Sequence, residues 1–228
     1  LRYFLKRKIK ISPNDILDSL LSYMNSDGNL IFPAFNFDVI NSGLFSISST
    51  KSEMGLLSET ARTHIDSYRT NHPVYSFSSF GGISKDLSKI SNYTSYGIDS
   101  PFETMKNYDG KILVIDLDEN KSMTYYHHVE ELVEVSYRYK KSFKVEVINE
   151  LNAPSTFKEF SIYVRKIDEG VVTNVEPMGK YLGRIGYYNN RIFMDKISTR
   201  IIKIEDLVRE TKRVINQGQA LGMLYQIE

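Results

Sequence analysis

The sequence predicts an α/β protein: one domain with a mixed central sheet, at least in part parallel, flanked by helices. In the first half of the chain, amphipathic helical segments alternate with short apolar strands and polar loops. The order helix, strand, loop, strand, loop, helix favours such a sheet. A length of 228 residues suits one domain of generous size.

The first segments have clear boundaries. The stretch ISPNDILDSLLSYMNSDG predicts a helix with Ser12 as N-cap, Pro13 at its first position and Asp27-Gly28 as its stop. NLIFPAFNF predicts a buried strand that Pro33 ends. MGLLSETARTHI predicts a short helix, and YSFSSFGG has the period-two pattern of a strand.

The second half of the chain is richer in strands. KILVIDL (111–117) predicts a buried strand, after which the chain enters a helix that holds TYYHHVEE. FKVEVINE and FSIYVRKI alternate as strands do, and RIGYYNNRIFMDKI predicts two strands around a turn at Asn189-Asn190. IEDLVRETKRVINQG predicts a C-terminal amphipathic helix that stops at Gly218.

Composition excludes several classes of function. The chain has no cysteine, which excludes disulfides, thiolate zinc sites and a cysteine nucleophile. Its 29 basic and 28 acidic residues give a net charge of +1, so we expect no nucleic-acid partner. No apolar run has the length of a membrane span. We therefore expect a cytoplasmic protein with no membrane partner.

The segment TYYHHVEE carries the best candidate for acid–base chemistry. On a helix, Thr124, His127 and Glu130 lie on one stripe, because they are three residues apart. A neutral histidine accepts protons near pH 7, and a carboxylate can fix its tautomer. The same stripe is also typical of the solvated face of a structural helix, and spacing alone favours that interpretation. HxxE lacks two of the ligands that a metal site needs, and no HExxH is present, so no metal is expected.

NHPVYSFSSFGG is a second polar segment. Because His72 precedes Pro73, its backbone is restricted to extended conformations before the strand begins. His72 and Ser76 either line a cleft or are satisfied polar groups at a strand edge.

The loop SSTKSEMGLLSE is a third candidate. A hydroxyl-rich loop that opens a helix can bind an anion through free backbone N–H groups, although the same residues are also good N-caps. Neither a P-loop nor a dinucleotide-binding motif is present.

The order of these segments resembles the aminoglycoside 3-N-acetyltransferase family. The chain has FPAFNF, MGLLSE, NHPVYSFSSFGG, YGIDSPFE, TYYHHVEE and GRIG, in that order. The family carries MPTF, MGLLPE, HPTHSxxAxG, GxxSP, TSxHxxE and G(R/K)xG. The match runs from about residue 29 to about residue 210.

The resemblance implies direct acyl transfer from coenzyme A to an amine on a sugar. The donor would be acetyl-CoA or another short acyl-CoA, used without a metal. By position, His127 matches the catalytic histidine, Glu130 its partner carboxylate and Thr124 the hydroxyl before them. The resemblance also assigns five residues to the cleft and to coenzyme binding: Asn36, Thr50, Ser52, His72 and Ser76.

The chain departs from the family pattern at three places. The family begins with a strand that ends in HSSL, and this strand is not found here. Either it lies upstream of Leu1 or the chain has diverged there, and residues 1–228 are expected to be a single acyltransferase domain. Thr50-Lys51-Ser52 stands where the family has TPS, and Tyr75 stands where it has a second histidine.

These departures leave the acceptor open. An aminoglycoside is a polycation and favours a surplus of carboxylates, which this nearly neutral chain lacks. The sequence analysis therefore favours a nucleotide-linked amino sugar of bacterial surface polysaccharide, such as O-antigen. The alternatives are an aminoglycoside acceptor, which would make the chain a resistance enzyme, and a catalytically inactive ligand-binding module. A monomer or a homodimer is expected.

Overall fold

A computed structural model describes residues 10–148, 154–193 and 197–228. The chain divides into two compact units. Unit 1 comprises Leu1–Ser95 and Ser142–Ser161, and unit 2 comprises Tyr96–Lys141 and Ile162–Glu228. Whether the two units act as the single domain expected above stays a prediction.

The helices and strands are numbered in chain order. The helices are α1 (Pro13–Ser22), α2 (Val39–Ser42), α3 (Leu56–Thr63), α4 (Ser84–Leu87), α5 (Pro101–Asn107), α6 (Glu119–Ser122), α7 (Tyr125–Leu132), α8 (Glu176–Arg184) and α9 (Ile204–Asn216). The strands are β1 (Asn29–Pro33), β2 (Leu44–Ser46), β3 (Tyr68–Arg69), β4 (Phe77–Gly81), β5 (Lys111–Ile115), β6 (Arg138–Ile148), β7 (Thr156–Arg165), β8 (Val171–Thr173), β9 (Asn189–Phe193), β10 (Ile197–Lys203) and β11 (Tyr225–Ile227).

Helix α1 begins as its sequence predicts. The Ser12 hydroxyl accepts a hydrogen bond from Asp15 N at 3.1 Å, and Ser12 N donates to the Asp15 carboxylate at 2.7 Å. This reciprocal pair satisfies backbone donors that a helix start leaves free. The helix ends at Ser22, six residues before Gly28.

Unit 1 contains an antiparallel sheet of order β1-β4-β3, together with β2, residues 142–148 of β6 and residues 156–161 of β7, which pair in the order β2-β6-β7. Strands β2 and β6 are parallel, with Phe45 opposite Val147, which confirms a sheet that is parallel in part. One core cluster joins α1, α3 and β4 through Leu17, Ala61 and Phe80. These side chains are at most 3% exposed.

Unit 2 contains the antiparallel sheet β5-β10-β9 and the strand pair β8–β11. Helix α9 packs against α7, the helix that carries His127. The buried residues of α9 include Leu207, Thr211 and Val214. The predicted C-terminal helix is confirmed, and Gly218 adopts a positive φ of 70° just after it ends.

Two strand predictions were wrong. KILVIDL was expected to be buried, but in β5 only Val114 is buried, while Leu113 and Ile115 are 49% and 46% exposed. The expected turn at Asn189-Asn190 is also absent, since both residues lie inside β9. The residues before β9 form helix α8 and a turn rather than a strand, and residues 194–196 of the expected second strand lie outside the described residues.

Within the three described ranges, no helix has the length and apolar character needed to cross a membrane.

The first core cluster predicts a large cost for truncating Leu17. Leu17→Ala removes buried methyl groups and leaves a cavity, so we expect the free energy of unfolding to fall by about 2–5 kcal/mol. Urea denaturation measures this change. Ile65→Ala is the control, because Ile65 is 93% exposed and should change stability by less than about 0.5 kcal/mol. Equal effects of the two substitutions would contradict the assignment of Leu17 to the core.

Candidate active site

Helix α7 places the predicted stripe at a partly exposed surface of unit 2. Thr124 is the N-cap residue, and its carbonyl oxygen accepts a hydrogen bond from His127 N at 3.0 Å. The side chain of His127 is 19% exposed, and that of Glu130 is fully buried. The stripe therefore runs from a half-buried hydroxyl, through an accessible imidazole, to a buried carboxylate.

His127 and Glu130 form a close pair. The Nδ1 atom of His127 lies 2.7 Å from Oε2 of Glu130. An ionised carboxylate only accepts hydrogen bonds, so a neutral His127 donates from Nδ1 and keeps the lone pair on Nε2. Within the described part of the chain, Nε2 has no hydrogen-bond partner. The imidazole ring is also in contact with the ring of Tyr96, at a centroid distance of 5.7 Å.

Two further residues hold Glu130. The hydroxyl of Tyr137 donates to Oε1 at 2.9 Å, and Nε of Arg138 lies 2.7 Å from Oε2 in an ion pair. Burial opposes ionisation of Glu130, but the charge of Arg138 and the hydrogen bonds from His127 and Tyr137 outweigh it and hold the pKa of Glu130 below the ordinary value. Sequence analysis missed Tyr137 and Arg138, which lie beyond the end of α7 and have no motif spacing.

The electrostatics keep His127 neutral at pH 7. Burial lowers the pKa of His127, and the positive charge of Arg138 lowers it further. Glu130 acts in the opposite direction, but the net shift is below the ordinary value of 6.5. A neutral imidazole with a free Nε2 lone pair can accept a proton.

The neighbouring histidine has a different environment. His128 is fully buried, with Nδ1 2.5 Å from the carbonyl oxygen of Tyr96 and Nε2 3.2 Å from Oε2 of Glu103. Its ring stacks on Phe102 at 16°. Both nitrogens therefore have protein partners, and His128 is a structural residue.

The other candidate residues lie in unit 1. The side chain of Asn36 donates to the carbonyl oxygen of Lys51 at 3.0 Å and accepts from Val39 N at 2.9 Å. The hydroxyl of Ser52 accepts from Met54 N at 3.1 Å. These side chains shape the loop before α3, and contact with the coenzyme stays a prediction for both.

Thr50 helps to close the same loop. Its hydroxyl accepts a hydrogen bond from Ser46 N at 2.8 Å, and its carbonyl oxygen accepts from the guanidinium of Arg69 at 2.5 Å. Arg69 is buried.

His72 and Ser76 are fully buried beneath this region. Nδ1 of His72 accepts from Tyr75 N at 3.1 Å, and its Nε2 lies 3.3 Å from the carbonyl oxygen of Ser161. Burial lowers the pKa of His72 to about 4, so its ring is neutral. Ser76 donates to the carbonyl oxygen of Ala34 at 2.9 Å. This geometry corresponds to the satisfied-polar alternative, and a contact of either residue with the coenzyme stays a prediction.

Comparison with known families decides the assignment of the chain. The family model described as aminoglycoside 3-N-acetyltransferase matches residues 6–216. The chain belongs to this family. Membership in the aminoglycoside 3-N-acetyltransferases makes it a coenzyme A-dependent N-acyltransferase, as the motif order indicated. A comparison with curated protein sequences found no match.

Solved structures of aminoglycoside acetyltransferases have the same fold as this family member. Aminoglycoside acetyltransferase AAC(3)-IIb has a TM-score of 0.76 and 15% identity, with 92% of this chain and 85% of that chain covered. AAC-IIIb, solved as a binary complex with CoASH, has a TM-score of 0.74, 14% identity and coverages of 90% and 84%. AAC-VIa bound to sisomicin has a TM-score of 0.74, 16% identity and coverages of 92% and 86%. The predicted α/β class with mixed sheets and flanking helices is confirmed.

The network around Glu130 predicts how the pKa of His127 responds to Arg138. Arg138→Gln removes a positive charge that disfavours the imidazolium, so the pKa of His127 should rise. Arg138→Lys keeps the charge and should keep the pKa low. Titration of the histidine side chains by NMR measures both, with buried His72 as an internal reference. A pKa of His127 that stays constant or falls in Arg138→Gln would refute the electrostatic role of Arg138.

Proposed function

We propose that this family member transfers an acyl group from acyl-CoA to an amine of an aminoglycoside, with His127 as the general base. The observation that carries the proposal is the neutral His127 whose Nδ1 is bonded to Glu130 at 2.7 Å while Nε2 remains available. Family membership and the sisomicin complex of AAC-VIa support the aminoglycoside acceptor.

His127 accepts the proton that the amine nitrogen loses as it attacks. As the acceptor nitrogen attacks the thioester carbonyl carbon, it must lose a proton, and Nε2 of His127 takes it. The tetrahedral intermediate then collapses, the carbon–sulfur bond breaks, and the imidazolium returns a proton to the leaving thiolate. The products are the amide and free coenzyme A, with no covalent acyl-enzyme.

Glu130 and Arg138 adjust the strength of this base. Glu130 orients the imidazole through Nδ1 and stabilises the transient imidazolium. Arg138 keeps Glu130 ionised and limits the rise in the pKa of His127 that a buried carboxylate would otherwise cause. The base is therefore unprotonated at neutral pH and still able to accept a proton during the reaction.

Thr124 is the proposed donor to the oxyanion. It lies one helical turn before His127, it is partly exposed, and its side chain does not cap α7. A hydroxyl without a capping bond can turn toward the thioester oxygen as negative charge develops there.

A nucleotide-linked amino sugar is the second candidate acceptor. The net charge of +1 favours it, because the chain carries no overall surplus of carboxylates for a polycation. Family membership and the aminoglycoside-bound neighbour favour the antibiotic, and they outweigh an argument from total charge. The ordered His127–Glu130 pair argues against the inactive binding module.

Thiol release from acetyl-CoA and 3-hydroxybutanoyl-CoA distinguishes the acceptors. We expect release with sisomicin- and kanamycin-type acceptors and little with a thymidine-diphosphate amino sugar. Reactions without acceptor give the background of thioester hydrolysis. Release with the nucleotide sugar alone would show that this sugar, and not an aminoglycoside, is the acceptor. The proposed acyltransferase reaction would still stand.

Replacing His127 tests the general base. His127→Asn should lower kcat by at least about 10²-fold while leaving the affinity for coenzyme A unchanged, since the base acts on the acceptor amine. His64→Asn, the same change at a histidine of unit 1, should keep wild-type turnover. The wild-type rate should fall in acid only below pH 6.5, because the pKa of His127 is lowered. Wild-type turnover by His127→Asn would remove His127 from this role.

A further inference from the structure

Unit 1 contains a cavity of about 580 Å³ whose wall carries two cationic side chains, Arg69 and Lys158. Neither aspartate nor glutamate is among the described residues that line it. The rest of the wall is formed by hydroxyl, amide, aromatic and aliphatic side chains, which include Tyr68 and Asn92. A concave wall with positive charge and no carboxylate suits an anionic ligand.

Arg69 is a buried cation with only neutral hydrogen-bond acceptors around it. The residue is 7% exposed. Its Nε donates to the hydroxyl of Ser76, and Nη1 donates to the carbonyl oxygens of Ile47 and Thr50. Its Nη2 donates to the carbonyl oxygen of Ala34 at 3.1 Å, which leaves one N–H of that group unused. The guanidinium is thus held in place without a carboxylate partner among the described residues.

The carboxylate of Glu59, whose charge acts on Arg69, is already paired with another cation. Glu59 is bonded to Arg62, with its Oε1 2.7 Å from Nη2 and its Oε2 2.8 Å from Nε. Burial, together with the positive charge of Arg62, lowers the pKa of Arg69 to about 9. A buried, uncompensated charge is costly, and a bound anion would remove that cost.

Two other lining side chains hold unused polar atoms. Asn92 is 3% exposed and donates to the carbonyl oxygen of Thr94, but its Oδ1 has no partner within the described chain. The buried hydroxyl of Ser67 is likewise without a partner there. Tyr68, whose ring is half exposed, lies at the same cavity. The wall therefore offers charge for a phosphate, together with polar and aromatic groups for the rest of a ligand.

We propose that this cavity binds a phosphate-bearing small molecule, with its phosphate near Arg69 and Lys158. Arginine and lysine are the side chains that most often hold phosphate in proteins, and Arg69 is pre-ordered by its four hydrogen bonds. The hydrogen bond from Arg69 to Thr50 links the cavity wall to the loop that is predicted to contact the coenzyme. The phosphate belongs either to the coenzyme or to a nucleotide-linked ligand. The proposal does not depend on the identity of the acceptor or on the role of His127.

Isothermal titration calorimetry of the full chain tests the site directly. The probes are pyrophosphate, coenzyme A, thymidine diphosphate and pantetheine, which carries no phosphate. We expect Lys158→Glu to weaken phosphate binding at least about tenfold, because a charge reversal beside an anion changes attraction into repulsion. Ser91→Glu adds a carboxylate at an exposed lining position without removing any hydrogen bond in the structure, and it should have the same effect.

Lys144→Glu is the matched control. Lys144 is an exposed lysine of unit 1 on strand β6, and it does not line the cavity. Lys144→Glu makes the same change in net charge as Lys158→Glu, but away from the cavity, so the phosphate affinity should stay within about twofold of the wild type. Circular dichroism establishes that each variant is folded.

The outcomes distinguish the source of the phosphate and decide the proposal. Binding of coenzyme A but not of pantetheine or thymidine diphosphate, lost in both cavity variants, assigns the cavity to the coenzyme. Binding of thymidine diphosphate, lost in the same variants, assigns it to a nucleotide. The proposal would be overturned if the wild type and both cavity variants bound the phosphate probes with equal affinity. It would also be overturned if no phosphate probe bound to the folded wild type.

Discussion

The candidate site depends on one buried anion, the carboxylate of Glu130. Moving an isolated carboxylate out of water costs several kcal/mol, so its burial requires compensation. Arg138 supplies a positive charge, and Tyr137 and His127 supply hydrogen bonds to the two oxygens. This compensation couples the orientation of His127 to strand β6, which begins at Arg138. The chemistry of the helix therefore depends on residues that lie outside it.

A second buried glutamate in unit 2 is compensated in the same way. Glu119 is buried, and its Oε1 accepts hydrogen bonds from the hydroxyls of Tyr126 at 2.6 Å and Tyr188 at 2.5 Å. Nε of Arg200 lies 3.1 Å from Oε2. A buried glutamate with tyrosine and arginine partners ties α6 to the first turn of α7. Because the side chain of Thr124 makes no capping hydrogen bond to α7, the bond from Tyr126 to Glu119 helps to fix the start of the helix that carries His127.

The sequence could predict the features that the local spacing of residues determines. The stripe of Thr124, His127 and Glu130 follows from the helical repeat, and Ser12 as N-cap follows from a local capping box. Arg138 could not be predicted as a partner, because its contact depends on how the chain turns after α7. Leu113 illustrates the opposite error. Apolar residues on both faces of a strand predict that both faces are buried. Whether other elements of the protein cover a face is decided by tertiary packing, and Leu113 is exposed.

Three histidines have lowered pKa values, and only their geometry separates the proposed base from the others. His72 and His128 are fully buried, and both nitrogens of each ring have protein partners. His127 has a partner on Nδ1 alone, and part of its side chain reaches solvent. Since consecutive helical positions differ by about 100° in direction, the adjacent His127 and His128 face different surroundings. A lowered pKa is common to all three rings, but only an accessible, unpaired nitrogen can take a proton from a substrate.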